Sequence, residues 1–332
     1  MARVTEKSVT LQQPQLIGAA GDTLSEAFGR ALANLVPDYP DLVVLDADSA
    51  GDTGTHHVRR AHPNHFYQFG IAEQNMMAVA GGMASVGLLP VVSTFAVFCL
   101  RALEQTRLQI AYARRNVKIV GSHSGLDAGP DGASAQCLED IACFRAIPGM
   151  TVISPADLAD MEAATKAILD FDGPVYMRIG HSAAKRVYEG PRPFTIGKGH
   201  VVREGRDVTI VACGVAVARA IKAASMLEAD GIRARVVNMA TIKPIDTALL
   251  MRCALDTGCF VTAEDHTMHG GLGSAVAETL ATSAPCPIEF VAVADRFGQS
   301  GEPGELAERY GLTAPYIAAA AKRAVARKNP RP

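Results

Sequence analysis

Apolar residues in the first half of the chain fall into short β-branched runs, separated by stretches in which they recur every three or four positions. Such runs are typical of buried strands, and the spacing between them is typical of helices. The runs are DLVVLDAD (41–48), LPVVSTFAVF (89–98), NVKIVGSH (116–123), MTVISPAD (150–157) and GPVYMRIG (173–180). The predicted helices include EAFGRALANLV, LRALEQTRLQIAYARR and LADMEAATKAILD. Strands that alternate with helices predict a parallel sheet covered on both faces.

The same alternation resumes after KRVYEGPRPFTIGKGH (185–200), a segment rich in glycine, proline and charge that predicts a linker. The later elements are DVTIVACG, a helix from about Ala216 to Asp230, IRARVVNMATIKPID, GCFVTAEDH, a helix near GGLGSAVAETLA, and IEFVAVAD. A length of 332 residues suits two domains, at roughly 100–200 residues for each. We therefore expect two parallel-sheet-rich α/β domains over residues 15–184 and 200–328, with the linker at 185–199.

Charge and hydropathy argue against nucleic-acid and membrane partners. The formal net charge is -2, which offers no attraction to nucleic acid or to an acidic membrane. The first residues, MARVTEKSVTLQQPQL, lack the apolar run of a secretory signal. A helix that spans a bilayer needs about 18 consecutive uncharged apolar residues. No apolar stretch of this sequence comes near that length. We expect a cytoplasmic protein.

The chain contains seven cysteines and no CxxC pair. This pattern argues against both a disulfide framework and a zinc cluster. We expect the cysteines to be reduced residues of the core or of pocket walls, and we expect no metal-binding residue in this chain.

One acidic residue, Glu73, stands in the otherwise apolar stretch FGIAEQNMMAVAGGMASVG (69–87). It lies where an apolar strand is expected to turn into a helix. On this segment alone, a carboxylate that caps the helix and a carboxylate that does chemistry are equally good interpretations. The flanking motifs decide between them.

Several motifs resemble, in order and spacing, the pyrimidine-binding domain of thiamine diphosphate enzymes of the transketolase group. They are FGIAEQNM, STFAVF (93–98) and GSHSGLDAGPDGASAQCLEDIACFRAIPGMTVISPAD (121–157). The later stretch EDHTMHGGLGSAVAE (264–278) looks like the C-terminal domain of the same group. The resemblance covers roughly residues 15 to 325, and several ordered motifs over that length are more specific than any one of them.

The resemblance implies a catalytic role for Glu73. In that family the matching glutamate hydrogen-bonds the pyrimidine N1′ of thiamine diphosphate and favours the imino tautomer of the 4′-amino group, which then removes the thiazolium C2 proton. The carboxyl must keep a proton at neutral pH to do so. Burial favours the protonated form, whereas the first turn of a helix favours the carboxylate. We expect burial to prevail in the assembled site.

Three more residues are implied to bind the cofactor. Phe98 should stack on the pyrimidine, and Phe95 should stand beside it, because a flat ring suits a flat heteroaromatic face. Asp48 follows a predicted strand and matches a family aspartate near the cofactor; ligands commonly bind at such strand ends. Core packing for Phe95 and capping of the next turn for Asp48 are equally good alternatives.

The resemblance also implies substrate-binding residues. His123 matches a histidine of the substrate channel, and Asp131 matches an aspartate that contacts a substrate hydroxyl. Arg101 and Arg178 are cations that could bind an anion or pair with a carboxylate of this chain. His181 stands where related chains often have a phosphate-binding arginine, at the end of YMRIGH.

The sequence departs from the family pattern in its substrate residues. Ala135 occupies the position of a histidine that handles protons of the sugar substrate, and alanine cannot do so. His181 lacks the permanently charged, bidentate fork of arginine. We therefore expect a substrate that is not an ordinary sugar phosphate handled in the ordinary way. Cofactor activation needs neither residue.

The sequence also lacks the motif with which enzymes of this group bind the diphosphate. Enzymes of this group bind Mg2+ and the diphosphate with a GDG motif followed by asparagine, and neither AGDT (20–23) nor AGDTGT (50–55) opens that pattern. We expect an N-terminal transketolase subunit on another polypeptide to hold most of the thiamine diphosphate and the Mg2+. The protein thus resembles the C-terminal subunit of a split transketolase, expected as an α2β2 assembly with sites between subunits.

Three functions stay open at this point. The first is transfer of a two-carbon ketol unit from a ketose to an aldehyde by an enzyme with a sugar or keto substrate. The second keeps the cofactor in a 2-oxoacid dehydrogenase beta-type or 1-deoxyxylulose-phosphate-synthase-like subunit. The third is a non-catalytic scaffold subunit, which Ala135 favours and which Glu73, Phe98 and Asp131 oppose.

Overall fold

The computed structural model describes residues 22–328, and the first half of this range supplies six parallel strands to one sheet. These strands are β1 (Leu42–Asp46), β2 (Phe66–Gln68), β3 (Leu89–Phe95), β4 (Lys118–Ser122), β5 (Thr151–Ile153) and β6 (Val175–Arg178). All residues of β1, β4, β5 and β6 are buried. Complete burial is what a parallel sheet with helices on both faces requires.

The helices of the first half alternate with these strands, as predicted. They are α1 (Leu24–Leu35), α2 (Ala50–Thr53), α3 (His56–Ala61), α4 (Glu73–Ser85), α5 (Ala96–Arg101), α6 (Leu103–Gln105), α7 (Asp140–Ala146) and α8 (Leu158–Asp170). Short 3-10 turns span 36–38, 63–65 and 126–131, and a π-helical segment spans 106–112. Residues 15–21 of the predicted first domain lie outside the described residues.

The second half forms another α/β unit. Its elements are β7 (His200–Arg203), β8 (Val208–Ala212), α9 (Ala216–Ala229), β9 (Ala234–Asn238), β10 (Thr241–Lys243), α10 (Thr247–Thr257), β11 (Phe260–Thr267), α11 (Leu272–Ser283), β12 (Ile288–Val293), α12 (Pro303–Arg309) and α13 (Ala314–Lys328). The five-stranded sheet has the order β12-β11-β8-β9-β7, and only the β7–β9 pairing is antiparallel. Two parallel-rich α/β sheets confirm the predicted fold class.

Local sequence signals explain where several helices begin. The Thr23 hydroxyl accepts a hydrogen bond from the backbone N–H of Glu26 at 3.2 Å and caps α1. Asp157 does the same for α8 by accepting from the N–H of Asp160 at 2.9 Å, so the helix start predicted after MTVISPAD is confirmed. A side chain that satisfies an N-terminal N–H removes one of the free donors of the helix end.

Two element predictions in the first half were wrong. The run LPVVSTFAVF was expected to be all strand, but β3 ends at Phe95 and α5 begins at Ala96. Ala96 and Cys99 are buried at helical spacing, so one continuous apolar run serves two elements. The single helix expected over 100–115 is divided among the end of α5, α6 and the π-helical segment.

Strand β10 joins the two halves. By sequence it belongs to the second domain, yet it pairs antiparallel with β5 and completes a sheet of order β10-β5-β6-β4-β3-β1-β2. The Lys243 ammonium group adds hydrogen bonds to the carbonyl oxygens of Arg145 at 2.7 Å and Ile147 at 2.6 Å. The two halves therefore share hydrogen bonds within one sheet.

The stretch that resembles the C-terminal domain is organised by a buried glutamate. Glu264, in β11, accepts hydrogen bonds from the N–H groups of Leu272 at 2.7 Å and Gly273 at 2.8 Å, at the start of α11. Burial raises the pKa of Glu264 to about 7, although the two N–H donors act to lower it. The hydrogen bonds of this buried side chain thus hold the turn HTMHGG in place.

A buried ion pair lies where the halves meet. The guanidinium Nε of Arg178 donates to both carboxylate oxygens of Asp140, at 3.1 Å and 2.8 Å, and its Nη2 donates to the carbonyl of Asp265 at 2.6 Å. The hydroxyl of Tyr176 donates to the same aspartate at 2.7 Å. Asp140 is 0% exposed and Arg178 is 5% exposed. Of the two roles considered for Arg178, pairing with a carboxylate of its own chain is the one observed.

The described residues contain no helix long and apolar enough to cross a membrane. All seven cysteines are free, and five of them are buried, which confirms the expectation of a disulfide-free core. Burial raises the pKa of the Cys99 and Cys137 thiols. These thiols are therefore protonated at neutral pH.

Removing Asp140 should destabilise the protein strongly. Asp140→Ala leaves the buried Arg178 guanidinium without its counter-charge, so we expect the free energy of unfolding to fall by about 3–5 kcal/mol. The matched control is Asp170→Ala, which removes an exposed partner of Lys166 and should cost less than about 1 kcal/mol. Urea unfolding followed by circular dichroism measures both, and equal midpoints for the two variants would contradict this role of Asp140.

Candidate active site

Glu73 is the first residue of α4, and its side chain is 3% exposed. Its Oε2 atom is buried and has no hydrogen-bond partner among residues 22–328. The nearest cation is Arg101, whose Nη1 lies 3.8 Å from that oxygen, beyond hydrogen-bond reach. No backbone N–H of the described residues donates to Glu73, so it does not cap α4. A buried oxygen without a partner is uncommon and calls for a donor from outside the chain.

An aromatic stack stands at the carboxyl ends of three neighbouring strands. Phe95 ends β3, His123 follows β4, and His181 follows β6 by three residues. The ring centroids of Phe95 and His123 are 3.8 Å apart with an interplanar angle of 6°, and those of His123 and His181 are 4.0 Å apart at 29°. Phe98 continues the stack beyond Phe95, at 5.4 Å and 10°. We call these four rings the aromatic stack.

Position in the stack separates the two phenylalanines. Phe95 is half-buried and contacts two rings, His123 and Phe98. Phe98 is at the end and is 37% exposed, an unusual exposure for a large apolar ring. An exposed ring face suits a flat heteroaromatic ligand. The geometry is compatible with the predicted roles, Phe98 as the stacking ring and Phe95 beside it.

His123 is held as a neutral ring in an unusual backbone conformation. Its φ is 53°, a region that costs energy for a residue other than glycine and often occurs at functional sites. The side chain is 2% exposed, and its Nδ1 lies 3.1 Å from the Ser122 hydroxyl. Burial, and next the nearby His181, lower the pKa of His123 to about 3. It therefore carries no charge at neutral pH.

Two aspartates at the end of β1, Asp46 within the strand and Asp48 after it, lie in different environments. Asp46 is fully buried and accepts hydrogen bonds from the Ser49 N–H at 2.8 Å and the Thr53 and Thr55 hydroxyls at 3.0 Å and 2.9 Å. Asp48 is exposed, its φ is 64°, and its side chain has no hydrogen bond within residues 22–328. Asp46 thus builds the turn that presents Asp48. The sequence prediction did not include Asp46, although two threonines in AGDTGT were a signal for a carboxylate acceptor.

The predicted substrate residues are only partly brought together. Asp131 is exposed at the end of the 126–131 turn, and no hydrogen bond or ion pair of the described residues joins it to the aromatic stack. Gln136 fixes the loop that carries it, because its Nε2 donates to the carbonyls of Gly129 at 3.0 Å and Gln299 at 2.9 Å. Ala135 lies half-buried in this loop. The loop is therefore anchored to both halves of the protein.

Asp127 positions His181 and was missed by the sequence prediction. Its carboxylate accepts from the backbone N–H of His181 at 2.7 Å, and from the N–H and hydroxyl of Ser182 at 2.8 Å and 2.6 Å. Its own N–H donates to Asp265 at 3.1 Å. The only signal in the sequence was an acidic residue between two apolar ones in GLDAG.

One group of side chains has the composition of a metal site, away from the aromatic stack. Glu26, His56 and His57 bring donor atoms within 4.8 Å of one another. Glu26 is already engaged, at 2.7 Å by His57 Nε2 and at 3.5 Å by Nη1 of Arg30. The guanidinium would oppose a bound cation, so we interpret this group as an ion-pair network between α1 and α3.

Two family descriptions match the chain. "Transketolase, pyrimidine binding domain" matches residues 22–185, and "Transketolase, C-terminal domain" matches residues 197–317. These are the two sheet-containing halves described above, and together the matches span most of the chain. The class of protein that the fold and the site define is therefore a transketolase-type pair of domains.

Individual relatives support the same family assignment. The chain is 43% identical to the 6-deoxy-6-sulfo-D-fructose transketolase subunit SqwH of Clostridium sp. (strain MSTE9), covering 87% of this chain and 90% of that one. It is 34% identical to human transketolase, covering 91% of this chain but 49% of the human one. A solved structure described as "Split gene transketolase, inactive beta4 tetramer" is 48% identical with a TM-score of 0.88, covering 93% of this chain and 100% of that chain.

The protein belongs to the transketolase family, as a subunit of a thiamine-diphosphate-dependent, transketolase-like transferase. The resemblance seen in the sequence is confirmed. The dehydrogenase-type, synthase-type and scaffold alternatives are not favoured by these relatives.

The buried environment of His123 predicts its titration. An unfolded histidine takes up a proton near pH 6.5, whereas the folded His123 does so only at about pH 3. Because the unfolded chain then binds more protons, this residue should weaken the fold progressively as pH falls from about 6.5 to about 3. NMR of the imidazole resonances, assigned with His123→Gln, should show no titration of His123 between pH 8 and pH 5. A midpoint near 6.5 would contradict the buried, neutral ring.

Proposed function

We propose that this chain is the cofactor-activating subunit of a split transketolase that transfers a two-carbon ketol unit from a ketose to an aldehyde. The observation that carries the proposal is the buried, unpartnered Oε2 of Glu73 at the start of α4. It is a carboxyl oxygen removed from water and without a partner in residues 22–328. Such an atom fits a nitrogen heterocycle that enters from outside the chain.

The residues around this oxygen fit thiamine diphosphate. Phe98 offers an exposed ring face for an aminopyrimidine, and Asp48 offers a free carboxylate at the end of β1. When bound, thiamine diphosphate supplies the nucleophilic carbon that the reaction needs. We assign its diphosphate and the Mg2+ largely to the partner subunit.

Each residue of this chain then has a defined task. Glu73 would donate a hydrogen bond from its carboxyl to the pyrimidine of the bound cofactor, and the water-excluded position of that carboxyl suits this role. Phe98 orients the ring by stacking. His123, neutral at working pH, exchanges a hydrogen bond with a substrate hydroxyl, and Asp131 accepts a hydrogen bond from a second hydroxyl. Arg101, 65% exposed and beside Glu73, is available to an anionic substrate group.

The surface around Glu73 supports a partner subunit. Four large apolar side chains of this region are exposed, and we call them the apolar rim: Tyr67 at 41%, Ile71 at 76%, Leu108 at 46% and Tyr112 at 82%. A group of exposed apolar side chains beside a functional site commonly marks a protein interface. We propose that an N-terminal transketolase subunit covers the apolar rim and that two copies of each chain form an α2β2 enzyme. The related split-gene structure, described as an inactive tetramer of β chains, is consistent with a need for that subunit.

The substrate is proposed to be a small sugar or keto compound. Ala135 and His181 remove two groups expected for ordinary sugar phosphates, and the relative SqwH is named for a sulfo-sugar. The proposal therefore includes substrates whose anionic group is not a phosphate. We retain the cytoplasm as the proposed location, since the seven free cysteines suit a reducing compartment.

Replacing Glu73 tests the proposed chemistry. In the assembled enzyme, Glu73→Ala should lower kcat by at least about a hundredfold, because a positioned acid–base group typically contributes that much. The matched control is Glu104→Gln, which changes an exposed glutamate on the neighbouring α6 and should leave kcat unchanged. Turnover is measured with the partner subunit, thiamine diphosphate, Mg2+ and a screen of ketol donors. A Glu73→Ala enzyme with the wild-type rate would refute the proposal and favour a scaffold role.

The apolar rim tests the partner interface. Ile71→Arg should weaken association with the N-terminal subunit at least about tenfold, because a charge placed in an apolar interface must be desolvated without a partner. Leu255→Arg, at a site that is 83% exposed on α10, is the control and should associate normally. Analytical ultracentrifugation of the mixed subunits measures both. Equal assembly of the two variants would show that the partner binds elsewhere.

A further inference from the structure

Asp265, in β11, is a buried carboxylate of the second half that binds a loop of the first half. Its side chain is 2% exposed. Oδ1 accepts a hydrogen bond from the backbone N–H of Leu126 at 3.1 Å, and Oδ2 accepts one from the N–H of Asp127, also at 3.1 Å. Hydrogen bonds from backbone N–H groups to a carboxylate are charge-assisted, and two of them add geometric specificity. The two bonds therefore fix the direction of the loop after β4 as well as its position.

Gly125 allows the loop to come this close to Asp265. The φ of Gly125 is 72°, in the left-handed region that glycine adopts at little cost. A β-carbon at Gly125 would overlap the carboxylate of Asp265, so a larger residue would push the loop away. The carbonyl oxygen of Asp265 in turn accepts from Nη2 of Arg178 at 2.6 Å. Asp265 is therefore a fixed acceptor that cannot follow a displaced loop.

The loop held from β11 is bonded in turn to the segment after β6. The Asp127 carboxylate accepts from the N–H of His181 at 2.7 Å. Closer to β4, Ser124 donates to the carbonyl oxygen of Ile179 from its N–H at 3.2 Å and from its hydroxyl at 2.8 Å. The segments that carry His123 and His181 are thus joined by two sets of hydrogen bonds.

The stacked rings of His123 and His181 lie at the end of this chain of bonds. Their centroids are 4.0 Å apart with an interplanar angle of 29°. No hydrogen bond within residues 22–328 joins Asp265 to either ring or to Glu73, so Asp265 reaches the stack through the loop. Small displacements of groups that bind a substrate have large effects, since a shift of about 1 Å can cost roughly a hundredfold in rate.

We propose that Asp265 is a positioning residue for substrate binding, which acts from the second half through Asp127 on His181 and on the stacked His123. This inference rests on the proposed function, in which His123 contacts a substrate hydroxyl. Glu73 belongs to the first half and has no bond to this loop among the described residues. Loss of Asp265 therefore weakens substrate binding and leaves cofactor binding unchanged.

Asp265→Asn tests this role in the assembled enzyme. The variant keeps the shape of the side chain, but one acceptor becomes an NH₂ donor that faces a backbone N–H. We expect KM for the ketol donor hydroxypyruvate to rise roughly tenfold, the effect of losing one hydrogen bond to a charged acceptor. We expect kcat, and the thiamine diphosphate concentration that gives half-maximal activity, to stay at the wild-type level. A wild-type KM, or a loss of kcat at unchanged KM, would overturn the proposal.

The matched control is Asp246→Asn. Asp246 is another buried aspartate of the second half, 7% exposed, and it accepts from the N–H of Leu249 at 3.0 Å. No hydrogen bond or ion pair of the described chain joins it to the loops after β4 and β6. The control should therefore keep the wild-type KM, and a KM raised as far as in Asp265→Asn would show that the effect is not specific to this loop.

A double substitution tests the route through Asp127. Residues that act in one series of hydrogen bonds have non-additive effects. The combined Asp127→Asn and Asp265→Asn variant should therefore have the KM of Asp127→Asn alone, and multiplied effects would contradict the route. Should Asp265→Asn not fold, Asp127→Asn by itself decides: its KM must rise at unchanged kcat, and a wild-type KM overturns the proposal.

NMR of the full-length chain gives a readout that needs no turnover. The ring resonances are assigned with His123→Gln and His181→Gln. Because stacked rings shift each other's resonances, Asp265→Asn should move the signals of both histidines, and Asp246→Asn should move neither. Unmoved signals in Asp265→Asn would overturn the positioning role. Absence of ketol transfer in the wild type would leave this NMR result intact, so failure of the proposed function and failure of this inference are distinguishable.

Discussion

The structure depends on one constraint, a carboxyl oxygen that is buried without a partner of its own. Oε2 of Glu73 is enclosed at the start of α4, and the cation nearest to it stands 3.8 Å away. Such an oxygen lowers the stability of the folded chain, because burial removes its hydrogen bonds to water and no hydrogen bond within the protein replaces them. Under the proposed function, this oxygen gains its hydrogen-bond partner when the cofactor binds.

The rest of the fold holds this residue and its neighbours in place. The aromatic stack draws its rings from the ends of β3, β4 and β6 and from α5, so the parallel sheet fixes its geometry. Strand β10 and the Arg178–Asp140 pair then join the second half to that sheet. At one end of the stack, His181 lines a cleft that residues of both halves form. The second half thus acts on the site by fixing its loops rather than by supplying its acid.

Much of this could be predicted from the sequence, because strongly periodic segments determine their own structure. The five buried strands of the first half and helices α1, α8 and α9 follow from apolar spacing alone. The division of LPVVSTFAVF between β3 and α5 does not, since an apolar run is compatible with either state. The short strands β2 and β7 were missed because three or four residues carry too little pattern. Strand β10 was not distinguished from β9 within IRARVVNMATIKPID, because it is a strand through its pairing with β5.

The residues of the candidate site also divide into those that the sequence indicates and those that only the structure reveals. Ordered motifs made Glu73, Phe98 and His123 candidate site residues. They gave no signal for Asp46 and Asp127, because the roles of these two consist of hydrogen bonds to irregular or distant loops. The low pKa of His123 could not be predicted either, since it results first from burial and next from the nearby His181, and both follow from the tertiary fold.

A structure of the assembled enzyme with thiamine diphosphate bound is the most direct measurement. The account predicts that Oε2 of Glu73 lies within hydrogen-bond distance, about 2.6–3.2 Å, of the pyrimidine N1′, with the ring against Phe98 and the partner subunit around the diphosphate. A Glu73 side chain that faces water, or an aminopyrimidine bound in another place, would contradict it.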